Sequence, residues 1–316
     1  MNTVVNTVVL KSQQHYGCKA PPHALGEILR VISLAVLQSI RMAFEGRSTV
    51  RGKRPRWLTA AADVRLVDYS GDDDTILRFE APTFGNAAPE LYEQKELFEM
   101  GRPAPTDTGF DSLGDVLSDL SANNSDSARF DRSLLRRVAS FKRGFNGTFQ
   151  EVDFTGQRYT IEQPAVLNAG IIQTAECFTS ETPKPERVRV VGTLDMIRAS
   201  TQAFALKLDD AQEIRGVMVT GEIAEQKQLL EKRVMILGKA IYRPSGRLLR
   251  VDAEEMTSAA ADDTFFSKIP KPSRQKLDVR EIVREQSHKS GLAAIIGKWP
   301  GDETDEEIEA ALQELS

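Results

Sequence analysis

Arg187-Val188-Arg189-Val190-Val191-Gly192-Thr193-Leu194-Asp195-Met196 opens the stretch, Arg187 to Met256, from which the fold is read. Arg187 to Ala199 alternates around Val188, Val190, Gly192, Leu194 and Met196, the period-two pattern of a half-buried strand. Ala203 to Leu208 and Glu213 to Val219 read as two further strands joined by Asp209-Asp210-Ala211. Glu222 to Glu231 reads as a short helix, and Arg233 to Tyr242 and Arg247 to Asp252 as strands on either side of Arg243-Pro244-Ser245-Gly246. Three strands, a helix and two strands describe a small barrel, and Gly192 suits a bend that lets the first strand serve both sheets.

In this element order residues 187–256 resemble an OB-fold. Single-strand binders set aromatic rings beside basic residues, because bases stack on rings while phosphates need charge. Here the second and third strands supply Phe204, Lys207 and Arg215, and the last hairpin supplies Tyr242, Arg243, Arg247 and Arg250. The set is modest, and Phe204 and Tyr242 equally suit the filling or edge of the barrel. A second source of positive charge is the stretch from Arg41 to Arg56, where six basic residues stand against Glu45 alone. Arg51, Lys53, Arg54, Arg243 and Arg247 are therefore the candidate nucleic-acid-binding residues.

Upstream, Thr182-Pro183-Lys184-Pro185-Glu186 is an extended linker that places a domain boundary near residue 183. The expected architecture is α+β: a mixed helix and strand domain over 1–182, the OB-like barrel over 183–256, a linker and helix over 257–289, and a helical tail over 290–316. Within 1–182, Val4 to Leu10 reads as a strand and Ala24 to Phe44 as a long helix burying Leu25, Ile28, Leu29, Ile32, Val36 and Ile40. Trp57 to Ala62 is a helical turn, and Asp63 to Tyr69 with Thr75 to Glu80 a hairpin around Ser70-Gly71-Asp72-Asp73-Asp74. Pro89 to Phe98, Phe110 to Leu120 and Arg129 to Phe141 are amphipathic helices. Phe149 to Phe154 and Arg158 to Glu162 read as a second hairpin, followed by a helical or mixed segment, Ala165 to Phe178. Downstream of the barrel, a linker holds Phe265 and Phe266 against it, Leu277 to Gln286 is a helix, and His288 to Gly291 is a hinge.

The tail carries its own signals. Pro300 bars helix at Trp299 and Gly301 frees the backbone, so the indole is displayed on an extended segment. Thr304 and Glu307 have the spacing of a capping box, and Asp302, Glu303, Asp305 and Glu306 put negative charge at a helix N-terminus. Ile308, Ala311, Leu312 and Leu315 then form one apolar stripe. A helix of about twelve residues is marginal alone in water, so the stripe needs a surface, either this protein's own core or a partner's groove.

From roughly Ser290 to Ser316 the chain resembles the C-terminal ends of short bacterial antitoxins encoded beside PIN-domain ribonuclease toxins, where Trp-Pro-Gly-Asp-Glu followed by an acidic helix recurs. Those antitoxins are far smaller than this chain, and its body resembles uncharacterised bacterial proteins, which lends it no activity. The resemblance implies a PIN-domain toxin as partner, with Trp299 as anchor, Lys298 meeting an acidic metal site on the nuclease, and Pro300, Ile308, Leu312 and Leu315 completing the contact.

Composition sets the remaining bounds. With 316 residues and 41% hydrophobic content the chain has enough apolar material for two domains or one with appendages. A net charge of −5 argues against a general nucleic-acid coat, so local fields matter more than the total. Cys18 and Cys177 are far apart and lack the spacing of a disulfide framework or a zinc site, and His15, His23 and His288 are scattered. No phosphate-cradling glycine loop or Gly-x-Ser-x-Gly elbow occurs, and no group of carboxylates suggests shared protonation or metal binding over ordinary surface charge, so neither catalysis nor a metal or other cofactor is expected. Met1 to Leu10 alternates Val with Asn and Thr and is no signal peptide, and Ile28 to Phe44 is interrupted by Arg30, Gln38 and Arg41. A cytoplasmic location without membrane contact is expected, and the oligomeric state is left open.

Overall fold

A computed structural model describes residues 3–50, 52–92, 102–221, 223–260 and 263–273. Its contacts divide the chain into two units, Met1–Ser273 and Arg274–Ser316, the second lying outside the described residues. The expected helix at 277–286, the hinge, and the tail residues Lys298, Trp299, Pro300, Ile308, Leu312 and Leu315 therefore fall outside them, as does Arg51. The described residues are mixed α and β, with seven α-helices and two sheets.

The first sheet is built from β1 (Thr3–Lys11), β2 (Arg65–Ser70), β3 (Thr75–Pro82), β4 (Glu151–Phe154) and β5 (Ala165–Asn168), in the order β2-β3-β1-β4-β5 and antiparallel throughout. Alternation decides its faces: Val8 and Leu10 of β1, Leu77 and Phe79 of β3, Val152 and Phe154 of β4 and Leu167 of β5 enter one core. The helices α1 (Pro22–Glu45), α2 (Arg56–Ala61), α3 (Phe84–Ala87), α4 (Gly109–Ser121), α5 (Arg132–Ala139), α6 (Lys142–Phe145) and α7 (Ala169–Glu181) supply the rest. α1 buries Ile28, Ile32, Val36 and Ile40 as its periodicity requires, and Val31 and Ala35 beside them. Leu25 and Leu29 sit at the margin instead, because the buried face turns toward α4, α5 and α6. By length and composition α1 is apolar enough to cross a membrane, a wider match than Ile28 to Phe44 suggests; here its apolar face lines the core.

The hairpin around residues 70–74 forms as expected, whereas Arg158 to Glu162 is not a strand. β4 pairs with Ala165–Asn168 instead, from Glu151 opposite Asn168 to Phe154 opposite Ala165, and α7 follows at once with Asn168 as its N-cap. The reason lies on α4. The backbone N–H of Arg158 donates to Asp111 Oδ1 at 2.7 Å, and its guanidinium reaches Asp107 at 3.1 Å and both oxygens of Asp115 at 2.8 and 2.7 Å. Tyr159 donates its hydroxyl to Asp115 at 2.9 Å. The segment is pinned across the helix and leaves Ile161 81% exposed, so it has no ladder to join. Of the expected helix Pro89 to Phe98 the described part is a short 3-10 turn, Pro89–Leu91.

The second sheet is a closed barrel of β6 (Glu186–Arg198), β7 (Ala203–Lys207), β8 (Glu213–Met218), β9 (Arg233–Tyr242) and β10 (Leu248–Ser258), ordered β10-β8-β7-β6-β9. β6 pairs with β9 from Glu186 to Thr193 and with β7 from Thr193 to Arg198, so one strand does serve two neighbours. Gly192 adjoins that switch, where an added Cβ would lie 2.7 Å from the Lys207 carbonyl oxygen. β10 closes the barrel, antiparallel to β9 and parallel to β8. The connection between β8 and β9 is a 3-10 helix, Ile223–Leu229, and β10 runs past the expected Asp252 to Ser258. Phe204, Val190, Leu194, Ile236 and Val251 fill the interior. Phe265 is not held against the barrel but is 74% exposed, while Phe266 is half-buried in a 3-10 turn, Asp263–Phe266, that touches β6; Ser267, which accepts from Asp209 N–H, and Ile269, which packs on the barrel core, anchor the segment further.

Candidate functional site

The tip of the β9–β10 hairpin and the first residues of β10 gather the barrel's candidate cations, and the structure places each against the helical half of the same unit. Arg243 donates from Nη1 to the Asp126 carbonyl at 2.7 Å and lies 3.3 Å from Asp126 Oδ1. Arg247 Nη1 donates to Asp126 Oδ2 at 2.8 Å, Ser245 Oγ to Oδ1 at 2.8 Å, and Ser245 N–H to the Ser125 carbonyl at 3.1 Å. Burial raises the pKa of Asp126, but the hydroxyl of Ser245 and the charges of Arg243 and Arg247 outweigh it and hold the carboxyl below its ordinary value. Leu249 packs into the first core. Arg250, buried, donates to Asp252 at 2.7 Å, to the Gly46 carbonyl at 2.9 Å and to Asp131 at 3.4 Å. Arg243 and Arg247 thus join barrel to helices in this structure, through an acceptor that sequence reading missed.

Asp131 is the second missed acceptor. As N-cap of α5 it receives the N–H groups of Ser133 and Leu134, and it also binds the N–H and hydroxyl of Ser48 at 3.0 and 2.5 Å. An aspartate immediately before an amphipathic run is a readable cap signal, but its use by Ser48 and Arg250 is long-range.

The basic stretch after α1 is split by its environment. Arg41 and Arg47 are buried around one carboxylate, Glu45, at 3.5 and 3.2 Å. Lys53 and Arg54 are exposed and, among the described residues, make no hydrogen bond or ion pair. Phe204 and Tyr242 are buried, so neither offers a ring to solvent, and burial raises the Tyr242 hydroxyl to about 12. The barrel wall carries an open hollow of about 470 Å³ lined by Arg187, Val188, Arg189, Leu237, Gly238, Glu254 and Glu255, with Glu254 already paired to Lys239 at 3.1 Å.

Asp107, Asp111 and Asp115 converge on Arg158, and the arrangement is saturated. Asp111 closes a capping box with Thr108, Asp107 accepts from Ala104 N–H, and burial raises the pKa of Asp107 against the pull of Arg158. These carboxylates hold a loop and present no free oxygen pair toward an open site. Cys18 and Cys177 are both exposed thiols. Among the described residues no group of three or more His, Cys, Asp and Glu is placed to hold a metal ion. No protein-family model, curated protein or solved structure matches the chain.

Proposed function

We propose that this is an antitoxin-like protein that binds and neutralises a PIN-domain ribonuclease through residues 290–316, and that it is not itself an enzyme. The observation that carries the reading is the order Lys298-Trp299-Pro300 followed by a capped acidic helix with Ile308, Leu312 and Leu315 on one stripe. Trp299 is the buried anchor of the contact, Lys298 meets the acidic metal site of the nuclease, and the stripe lies in an apolar groove. The barrel is read as OB-like, supported by its strand order, its two-sided first strand and the parallel pair β8–β10. It serves with the helices as a regulatory or sensing platform in the cytoplasm.

Growth rescue tests the reading. Co-expression of the full chain with the PIN-domain ribonuclease encoded beside it restores growth, and the chain ended at Gly297 does not. Full rescue by the shortened chain would remove the tail from the mechanism.

A second reading, nucleic-acid binding by barrel and basic loop, is favoured by the unpaired, exposed Lys53 and Arg54. Arg243 and Arg247 serve it only by leaving Asp126.

A further inference from the structure

We propose that the seam between α1 and the α5–α6 pair, continued by residues 47–50 and 52–54, is a track for the phosphate backbone of duplex nucleic acid. The proposal rests on the second reading above and moves its binding surface from the barrel to the helices.

Three contacts lay out the seam. Ser48, just past α1, is bonded to Asp131 at the start of α5; Gln38 accepts from Arg137 Nε near the end of α5 at 3.3 Å; and Gly144 of α6 packs on Ile28 so tightly that a Cβ would sit 2.4 Å from its side chain. α5 and α6 therefore run antiparallel to α1 along its length. At 1.5 Å per residue the stretch from Ile28 to Glu45 is roughly 25 Å long, which matches about seven base pairs of duplex.

Positive charge follows the same line. Arg30 and Arg143 flank Arg137 at one end, and Arg41, Arg47, Lys53 and Arg54 cluster at the other. The carboxylates along it are already engaged: Glu27 lies 2.7 Å from Arg30, Glu45 is shared by Arg41 and Arg47, Asp131 holds Ser48 and Arg250, and Glu176 lies 3.0 Å from Lys142 of α6. Among the described residues the side chains of Arg143, Lys53 and Arg54 make no hydrogen bond or ion pair. Both ends show the strain of crowded cations. Burial, then Arg30 and Arg143, depress the pKa of Arg137; burial depresses that of Arg41, with Arg47 and Arg54 adding to it against Glu45. A polyanion along the seam relieves this repulsion, whereas in a chain of net charge −5 nothing in overall composition calls for it.

The chemistry favours nucleic acid over a lipid surface. Arg41 and Arg47 are buried on Glu45 and lie beneath the track; of the five cations that reach solvent, Arg30, Arg137, Arg143, Lys53 and Arg54, four are arginines, whose forked donors match phosphate oxygens in pairs. No large hydrophobic side chain is exposed on α1, α5 or α6, and the adjoining loop offers Val50 alone, so there is no wedge to enter a bilayer. A straight track on two packed helices suits a stiff duplex better than a flexible strand, and no exposed ring lies along it for bases to stack on.

The test is fluorescence anisotropy of a labelled 20-base-pair duplex (about two helical turns) with the full chain between about 50 and 200 mM salt. Wild type binds with a steep salt dependence. Arg30→Gln/Arg137→Gln/Arg143→Gln weakens binding at least about tenfold at the lowest salt and flattens the log–log salt slope by about 2–3, while Arg243→Ala/Arg247→Ala leaves both unchanged. Because Arg137 is half-buried, Arg30→Gln/Arg143→Gln is measured beside the triple variant and shows the same direction with an unaltered thermal melt. Binding that the helix variants leave intact and the hairpin pair abolishes overturns the track and keeps the second reading. No duplex binding at low salt overturns the track, and absence of binding to a labelled single strand as well overturns the second reading; arginine-dependent binding to phosphatidylserine vesicles without duplex binding assigns the track to a lipid surface and overturns the proposal.

Discussion

Asp131 does the work of several residues, and its replacement is the sharpest test of the fold at the scale of a single side chain. It caps α5, fixes Ser48 after α1 and receives Arg250 from the barrel, all in a buried setting. Asp131→Ala removes the cap and strands Arg250 with fewer acceptors, so urea denaturation at neutral pH shows a loss of about 3–5 kcal/mol. A loss within about 0.5 kcal/mol, the range of an ordinary surface substitution, would contradict the arrangement. Asp126 gives a pH signature. Its folded pKa lies below the ordinary value, so the unfolded chain binds more protons in that range and stability rises with pH. The contribution is complete above the ordinary aspartate pKa and is lost as pH falls through the lowered one. The stability difference between wild type and Asp126→Asn is therefore constant near neutrality and shrinks below about pH 4; a difference that grows on acidification would show that Arg243 and Arg247 do not stabilise the charged form.

At the scale of elements, period and spacing made the strands readable, and long-range partners decided where they failed. The alternation of Arg187 to Ala199 and the hairpins around residues 70–74 and 243–246 carry local signals, a two-sided apolar pattern closed by turn residues, and the structure has them. Arg158 to Glu162 carries a similar alternation, yet its arginine is taken by Asp107, just before α4, and by Asp111 and Asp115 on it, some forty to fifty residues earlier. Nothing local announces that. Arg158→Ala leaves Asp107 buried without its cation, and loosens the loop on α4; a destabilisation of about 2–4 kcal/mol by urea denaturation is expected. A neutral effect would mean that Tyr159 and the backbone N–H of residue 158 hold the loop without the guanidinium. The same limit applied to Arg243 and Arg247: their charge is plain in the sequence, but the acceptor of Arg243 lies 117 residues upstream. A basic hairpin looks the same to a reader of sequence whether its partner is a phosphate or the protein's own carboxylate.

Across the whole molecule the two units carry different kinds of information. The unit Met1–Ser273 has its barrel topology and its antiparallel sheet set by alternating apolar residues, which is why the α+β class was legible before any tertiary contact. Residues 274–316 fall outside the described structure, and what they say is written in composition and order: an aromatic beside a proline, the spacing of a capping box, then acidic residues with one apolar period of a helix. The account assigns recognition of the partner to that second unit and an electrostatic surface to the first. Its central claim, that Trp299 anchors a PIN-domain ribonuclease, is tested most directly by calorimetric titration of the nuclease with the full chain and with Trp299→Ala. The account predicts a loss of at least about 2 kcal/mol, a factor of roughly thirty in affinity, as for a buried aromatic anchor. Equal affinities for the two proteins would contradict it.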